Sequence, residues 1–192
     1  VTRDGGKNWH NVTPKSIPEW AYIGNIEISV HDPDKIYLAA TRYKLSDYKP
    51  YLFKTSNGGK TWNQLDNNFP KNEITRVIRS DTMASGLLFV GTETGIYIST
   101  DDGEKWNRLS GKFPIVPVYD LKIKNSDLVV ATHGRSFWMI DDLTPLHQLD
   151  NDVSQSNSTL FKPDISYRLA QSGGWRKPNT LLVGENHPNG VI

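Results

Sequence analysis

Residues 99–106 read STDDGEKW, with a hydroxyl, a carboxylate, a glycine and a tryptophan in fixed order. The same order recurs as TRDGGKNW at 2–9 and as TSNGGKTW at 55–62, where Asn57 stands in for the aspartate. Each residue type has a reason to be in a tight hairpin. Gly103 can take a positive φ without a Cβ clash. Asp101 can accept backbone N–H groups across the turn, as Asn57 can in an Asx-turn, and Ser99 adds a hydroxyl to the local network. Trp106 is spaced to fold its ring over the hairpin and be buried between neighbouring sheets. The stretch reads as a self-contained staple. Thr2, Asp4, Gly6, Trp9, Thr55, Asn57, Gly59, Trp62, Ser99, Asp101, Gly103 and Trp106 are therefore assigned to structure, not to catalysis or metal binding.

Working outward, the staple belongs to a longer repeat. A shift of 40 residues lays Val90 on Val130, Thr92 on Thr132, Tyr97 on Phe137 and Asp101 on Asp141. Each unit closes on a four-residue echo: WHNV (9–12), WNQL (62–65), WNRL (106–109) and LHQL (146–149). Alternating β-branched and aromatic runs punctuated by Gly, Asn and Asp predict strands. The first strands are 25–30, 74–80 and 118–124, the second 35–42, 86–93 and 127–134, and the third 51–56, 95–100 and 136–141. The echo supplies the fourth. Four short antiparallel strands in roughly 40–50 residues make a β-propeller blade, so the expected class is all-β.

The pattern Ser/Thr-x-Asp-x-Gly-x-x-Trp resembles the Asp-box, or BNR repeat, of sialidases, xyloglucanase and endoglucanase propellers and sortilin-type receptors. Residues 127–149 are similar to the last blade of large secreted bacterial BNR proteins, often described as glycosyl hydrolases or sortilin-like. The resemblance covers residues 1–149. The final unit departs from it, because Thr144, Pro145 and Leu146 replace the glycine and tryptophan. It implies a bacterial protein that is secreted, periplasmic or at the cell surface. It also implies that 184–192 open a following β-sandwich.

The blades lie at 1–13 (partial), 21–66, 72–110 and 116–149. Rings of this kind close with roughly six to eight blades, since closure removes unpaired strand edges. The expected partner is thus the remainder of the same polypeptide, or a second fragment, completing the propeller. Residues 150–183 read as a linker with a possible extra strand at 160–169.

Composition narrows the function classes. Twenty-two basic residues face 21 acidic ones, without a basic stripe, so no nucleic-acid partner is expected. No apolar run approaches the roughly 18 residues of a membrane span. Cysteine is absent, which excludes disulfides and thiolate chemistry. The five histidines show no metal-ligand spacing, and DDG (101–103) and DPD (32–34) are too short for a calcium loop. No metal and no cofactor are expected.

Blade topology puts ligand-facing loops between strands two and three and between successive blades. The candidates there are Trp20, Tyr22, Arg42, Tyr43, Glu93, Tyr119, Asp120, His133 and Arg135. Trp20 and Tyr22 suit stacking on a pyranose ring, their bland alternative being inter-blade packing. Arg135 with His133 suits a carboxylate or sugar, or else ties a loop to the next blade. Glu93 and Asp120 are the one plausible carboxylate couple for glycoside hydrolysis, which needs two carboxyl groups about 5 Å or 6.5–9.5 Å apart. Pairing with an arginine is the alternative for Asp120. No arginine stands in the Arg-Ile-Pro context of sialidases, so sialidase activity is not expected. Two readings stay open: a binding or scaffold module for glycan, peptide or neighbouring domains, and part of a glycosidase completed by other blades. Sortilin-like peptide capture within the ring is a third.

Overall fold

The computed structural model describes residues 1–111, 113–149 and 158–163. Residues Val1–Leu149 form one compact unit. In it, three antiparallel meanders follow one another along the chain. The first contains β1 (Tyr22–Ile28), β2 (Ile36–Arg42), β3 (Asp47–Thr55) and β4 (Asn63–Gln64), hydrogen-bonded in that order. The second repeats it with β5 (Thr75–Ser80), β6 (Leu88–Thr92), β7 (Ile96–Ser99) and β8 (Asn107–Arg108). The third has β9 (Val118–Lys124), β10 (Asp127–Thr132) and β11 (Phe137–Ile140).

The second strands explain the stacking. β2 and β6 are buried along nearly their whole length. A sheet covers each face of β6, whereas the second sheet covers one face of β2 and Ile17, Ile23 and Trp62 pack on Leu38 and Ala40 of the other. Tyr37, Ala39, Leu52 and Leu65 of the first sheet pack on Ile78, Leu88, Val90 and Trp106 of the second. On the other side of the second sheet, Phe89, Ile96 and Ile98 pack on Val118, Leu121, Leu128 and Val130. Each such aliphatic or aromatic side chain contributes about 1.5–3 kcal/mol by leaving water. Face-to-face meanders of this kind are blades, and the architecture is an incomplete β-propeller.

The three glycine turns share one hydrogen-bond scheme. In the third, Ser99 Oγ accepts from Gly103 N at 2.9 Å and donates to Asp101 Oδ1 at 2.8 Å, while Asp101 Oδ1 accepts from Lys105 N at 2.8 Å. Thr55 and Asn57 make the same bonds to Gly59 and Thr61, as Thr2 and Asp4 do to Gly6 and Asn8. The Asn8 amides, with the Thr2 hydroxyl, lower the Asp4 carboxyl to about 2.

The turns do more than close their own hairpins. Trp106 Nε1 donates to the Leu65 carbonyl of the preceding blade at 3.0 Å, and Trp62 Nε1 donates to the Val12 carbonyl at 2.6 Å. The turn glycine fits against the same residue. A Cβ on Gly103 would stand 2.8 Å from Leu65 Cδ1, and one on Gly59 would stand 2.7 Å from Val12 Cγ2. The staple is therefore also a joint between blades: burial of Trp106 between sheets was expected, whereas its bond to the Leu65 carbonyl and the fit of Gly103 on that leucine were not.

The last blade departs from four strands. Thr144–His147 form a one-turn helix, α1, where the echo LHQL predicted a fourth strand. Pro145 lacks the N–H a ladder needs and suits a first helical turn. His147 Nε2 lies 3.1 Å from Oδ2 of the fully buried Asp81 and so holds α1 against the second blade. β3 also starts earlier than expected, at Asp47. Residues 158–163 form no helix or strand. The rest of the expected linker and extra strand, and the expected domain start at 184–192, lie outside the described residues. No helix among the described residues is long and apolar enough to cross a membrane.

Candidate ligand cleft

The first strands of the blades line up beside one another, and their side chains link them. Asn25 Oδ1 accepts from Ile78 N at 2.9 Å. Arg79 on β5 reaches both ways, to Glu27 at 2.9 Å and to Asp120 at 2.7 Å, and donates to the Leu121 carbonyl at 2.7 Å. One guanidinium thus ties three blades.

Beyond this ladder a cleft of about 450 Å³ opens, with walls from the start of β1, the end of β2 and the turn that follows it. Arg76 of β5 and Tyr119 of β9 also line it. Local chemistry builds the rim. Residues Tyr43–Leu45 make one 3₁₀ turn, closed by Ser46 at φ 58°, which brings Tyr43, Lys44 and Leu45 to the opening. Trp20 sits at φ 64° and is 84% exposed. A bulky residue there costs roughly 1–2 kcal/mol, and the indole recovers little by burial.

Arg76 organises the interior. Its Nε donates to Glu93 Oε2 at 2.9 Å, and its Nη2 binds the same oxygen. The guanidinium carbon lies 4.3 Å from the Tyr119 ring centroid and 5.3 Å from that of Tyr43, a cation–π contact on both rings. Arg42 pairs with Asp47 at 3.3 Å, and Asp47 also accepts from the Tyr51 hydroxyl at 2.7 Å. Burial would raise the Asp47 carboxyl, but the Tyr51, Lys49 and Arg42 bonds outweigh it and hold it below its usual range. Burial and the Asp47 charge push Tyr51 up to about 12. Two buried polar atoms of the lining, Thr41 Oγ1 and Arg42 Nε, have no hydrogen-bond partner among the described residues.

Of the sequence-derived candidates, Trp20, Tyr22, Arg42, Tyr43 and Tyr119 line this cleft together. His133 lies outside the lining but stacks on Tyr119, with ring centroids 5.2 Å apart. Arg135 is exposed, and its carbonyl accepts from Trp138 Nε1 at 2.9 Å. Glu93 and Asp120 stand apart from the lining, each paired with its own arginine. Among the described residues no carboxylate lines the cleft. Sequence reasoning missed Arg76, Arg79, Thr41 and Lys44. The first two are the interruptions in the apolar run ITRVIRS (74–80), which is the signal that could have found them. Among the described residues no three His, Asp or Glu side chains are grouped to hold a metal.

No protein-family model and no curated protein matches the sequence. Similar solved structures do exist. A GH74 xyloglucanase from Xanthomonas campestris aligns with 14% identity and a TM-score of 0.48, over 63% of this chain and 22% of its own. YCF48 from Cyanidioschyzon merolae aligns with 21% identity and a TM-score of 0.48, over 66% and 36%. YCF48 bound to D1 peptide aligns with 20% identity and a TM-score of 0.49, over 72% and 42%. The chain thus spans about a fifth to two fifths of the structures it matches.

Proposed function

We propose that this chain is a portion of an exported bacterial Asp-box propeller that binds a glycan or peptide and does not hydrolyse it. The observation that carries the reading is the make-up of the cleft. Among the described residues four aromatic side chains and three cationic ones line it, and no carboxylate does. Aromatic faces suit the C–H faces of sugars and the flat groups of peptides. Arg76 is fixed by Glu93 and two tyrosine rings, so its geometry is set before a ligand arrives. The shared hydrogen-bond scheme of the three turns supports the Asp-box assignment.

Hydrolysis asks for two carboxyl groups on either side of a bond. Glu93 and Asp120 instead pair with Arg76 and Arg79 on separate contacts. The test is calorimetric titration of the purified chain with neutral and acidic oligosaccharides and with peptide mixtures, beside a reducing-sugar assay. Saturable binding that is weakened in Tyr119→Ala, without sugar release, is the expected result. Sugar release that survives purification and disappears in Glu93→Gln would overturn it and favour the glycosidase reading.

A further inference from the structure

We propose that the cleft selects acidic glycans, its ligand being an oligosaccharide whose carboxylate or sulfate groups meet Arg42, Lys44 and Arg76. The proposal rests on the binding reading above and adds the charge of the ligand. It starts from hydrogen bonds left unmade. Arg76 uses Nε and Nη2 on Glu93, which leaves its Nη1 unbonded among the described residues. Arg42 gives Nη1 to Asp47, and its Nη2 is likewise unbonded. The Lys44 side chain stands exposed on the one-turn rim, with no ion pair or hydrogen bond among the described residues. Three cations thus face two carboxylates, both outside the lining, and the Lys44 charge is unopposed.

The wall beside them adds a second sign. Thr41 is only 5% exposed, yet its hydroxyl is unmet among the described residues, as is the buried Nε of Arg42. Buried polar groups are nearly always bonded, so two unmet donors together mark a place for an acceptor the protein does not supply.

The build of the cleft favours a sugar over a peptide. Sheets hold peptides by lending backbone groups from a free strand edge. Here β2 is paired on both edges, and the Ile78 N–H of β5 is taken by Asn25. Gly24 of β1 lies so near β5 that a Cβ on it would stand 2.8 Å from the Arg76 carbonyl. What the cleft presents instead is ring faces, with Trp20 84% and Tyr22 70% exposed. Such faces beside cations suit the C–H face of a pyranose with an acidic group on its edge. Tyr43, Arg76, Tyr119 and His133 also stack in a row from the first blade to the third, which suits a chain of sugars.

The test is calorimetric titration of the purified 192-residue chain at low and high salt with two acidic probes. These are oligogalacturonate and a sulfated dextran oligosaccharide, each beside its neutral form, the methyl ester and plain dextran. At least one acid should bind about tenfold or more tighter than its neutral form, by a margin that shrinks in high salt, and the one that does identifies the anion. Lys44→Gln, at an exposed position, should weaken that acid about threefold at low salt and leave the neutral form unchanged. Equal affinity for acid and neutral forms, or a silent Lys44→Gln, would overturn the proposal and leave glycan binding standing. Binding of an oligoglutamate peptide in place of the sugars would overturn it and give the cleft to an acidic peptide. A chain that binds none of these probes and no peptide would lose both the proposal and the binding reading beneath it.

Discussion

Trp106 in one blade and Leu65 in the blade before it are held together twice, by the indole N–H on the Leu65 carbonyl at 3.0 Å and by the fit of that leucine against Gly103. The two contributions separate by mutation. Trp106→Phe keeps most of the ring and leaves a buried carbonyl unmet, which costs about 1–3 kcal/mol. Trp106→Ala also opens a cavity against Phe69 and Tyr97, for about 3–5 kcal/mol. Urea denaturation should give that order. Equal losses in the two variants would mean that the hydrogen bond contributes nothing.

The Asp102 carboxylate is a second tie between the same blades. It accepts from the Tyr37 hydroxyl, from Lys35 Nζ at 3.0 Å and from Lys54 Nζ at 3.3 Å. Burial would raise the Asp102 carboxyl, but these donors outweigh it and lower it. A lowered carboxyl contributes stability that is present above its unfolded value of about 3.9 and is lost as pH falls through the folded one. Tyr37 works in the opposite sense. Burial, then the Asp102 bond, raises its hydroxyl, so its contribution holds below about 10 and declines as pH rises past that. Asp102→Asn, which still tolerates the φ of 60°, should flatten both limbs of a stability–pH curve measured by urea titration. An unchanged acid limb would place the acid-sensitive group elsewhere.

The Arg79 ladder has arms of unequal worth. Glu27 is mostly buried against Arg79, while the Asp120 side chain is 60% exposed. Water and salt screen the second arm, leaving about 0–1 kcal/mol, whereas the first is a partly buried charged hydrogen bond of about 1.5–3 kcal/mol. Glu27→Gln should therefore destabilise more than Asp120→Asn, and only the Asp120 arm should fade in high salt. Thermal melts at low and high ionic strength check both statements. A reversed order would show that Asp120, not Glu27, anchors the arginine.

What could be seen in the chain beforehand divides along the range of the interactions. The turns were legible because Ser99, Asp101 and Gly103 bond within a few residues of one another. The strand faces were legible from alternation, and five of the cleft residues from loop position. The Trp62–Val12 joint was not, because its partners are 50 residues apart and the contact depends on how two blades stack. Arg76 was hidden for the same reason. It sits within a strand, and only the stacking of three blades brings Tyr43 and Tyr119 to its guanidinium. The α1 turn was half legible, since Pro145 excluded the usual hairpin, but the buried Asp81 that holds His147 lies 66 residues away.

Trp20 sets stability against binding. At φ 64° its backbone carries strain that a glycine would relieve, and its exposed ring gives little burial in return. Glycine also loosens the unfolded chain, which offsets about 0.4–1 kcal/mol of the gain. Trp20→Gly should thus leave stability unchanged or raise it by up to about 1 kcal/mol, while Trp20→Ala keeps the strain and gains nothing. Both should weaken ligand binding alike, because both remove the indole from the rim of the cleft. Paired thermal melts and calorimetric titrations distinguish the outcomes. Full affinity in both variants would remove Trp20 from the site, and a marked loss of stability in Trp20→Gly would show that the indole packs on the protein.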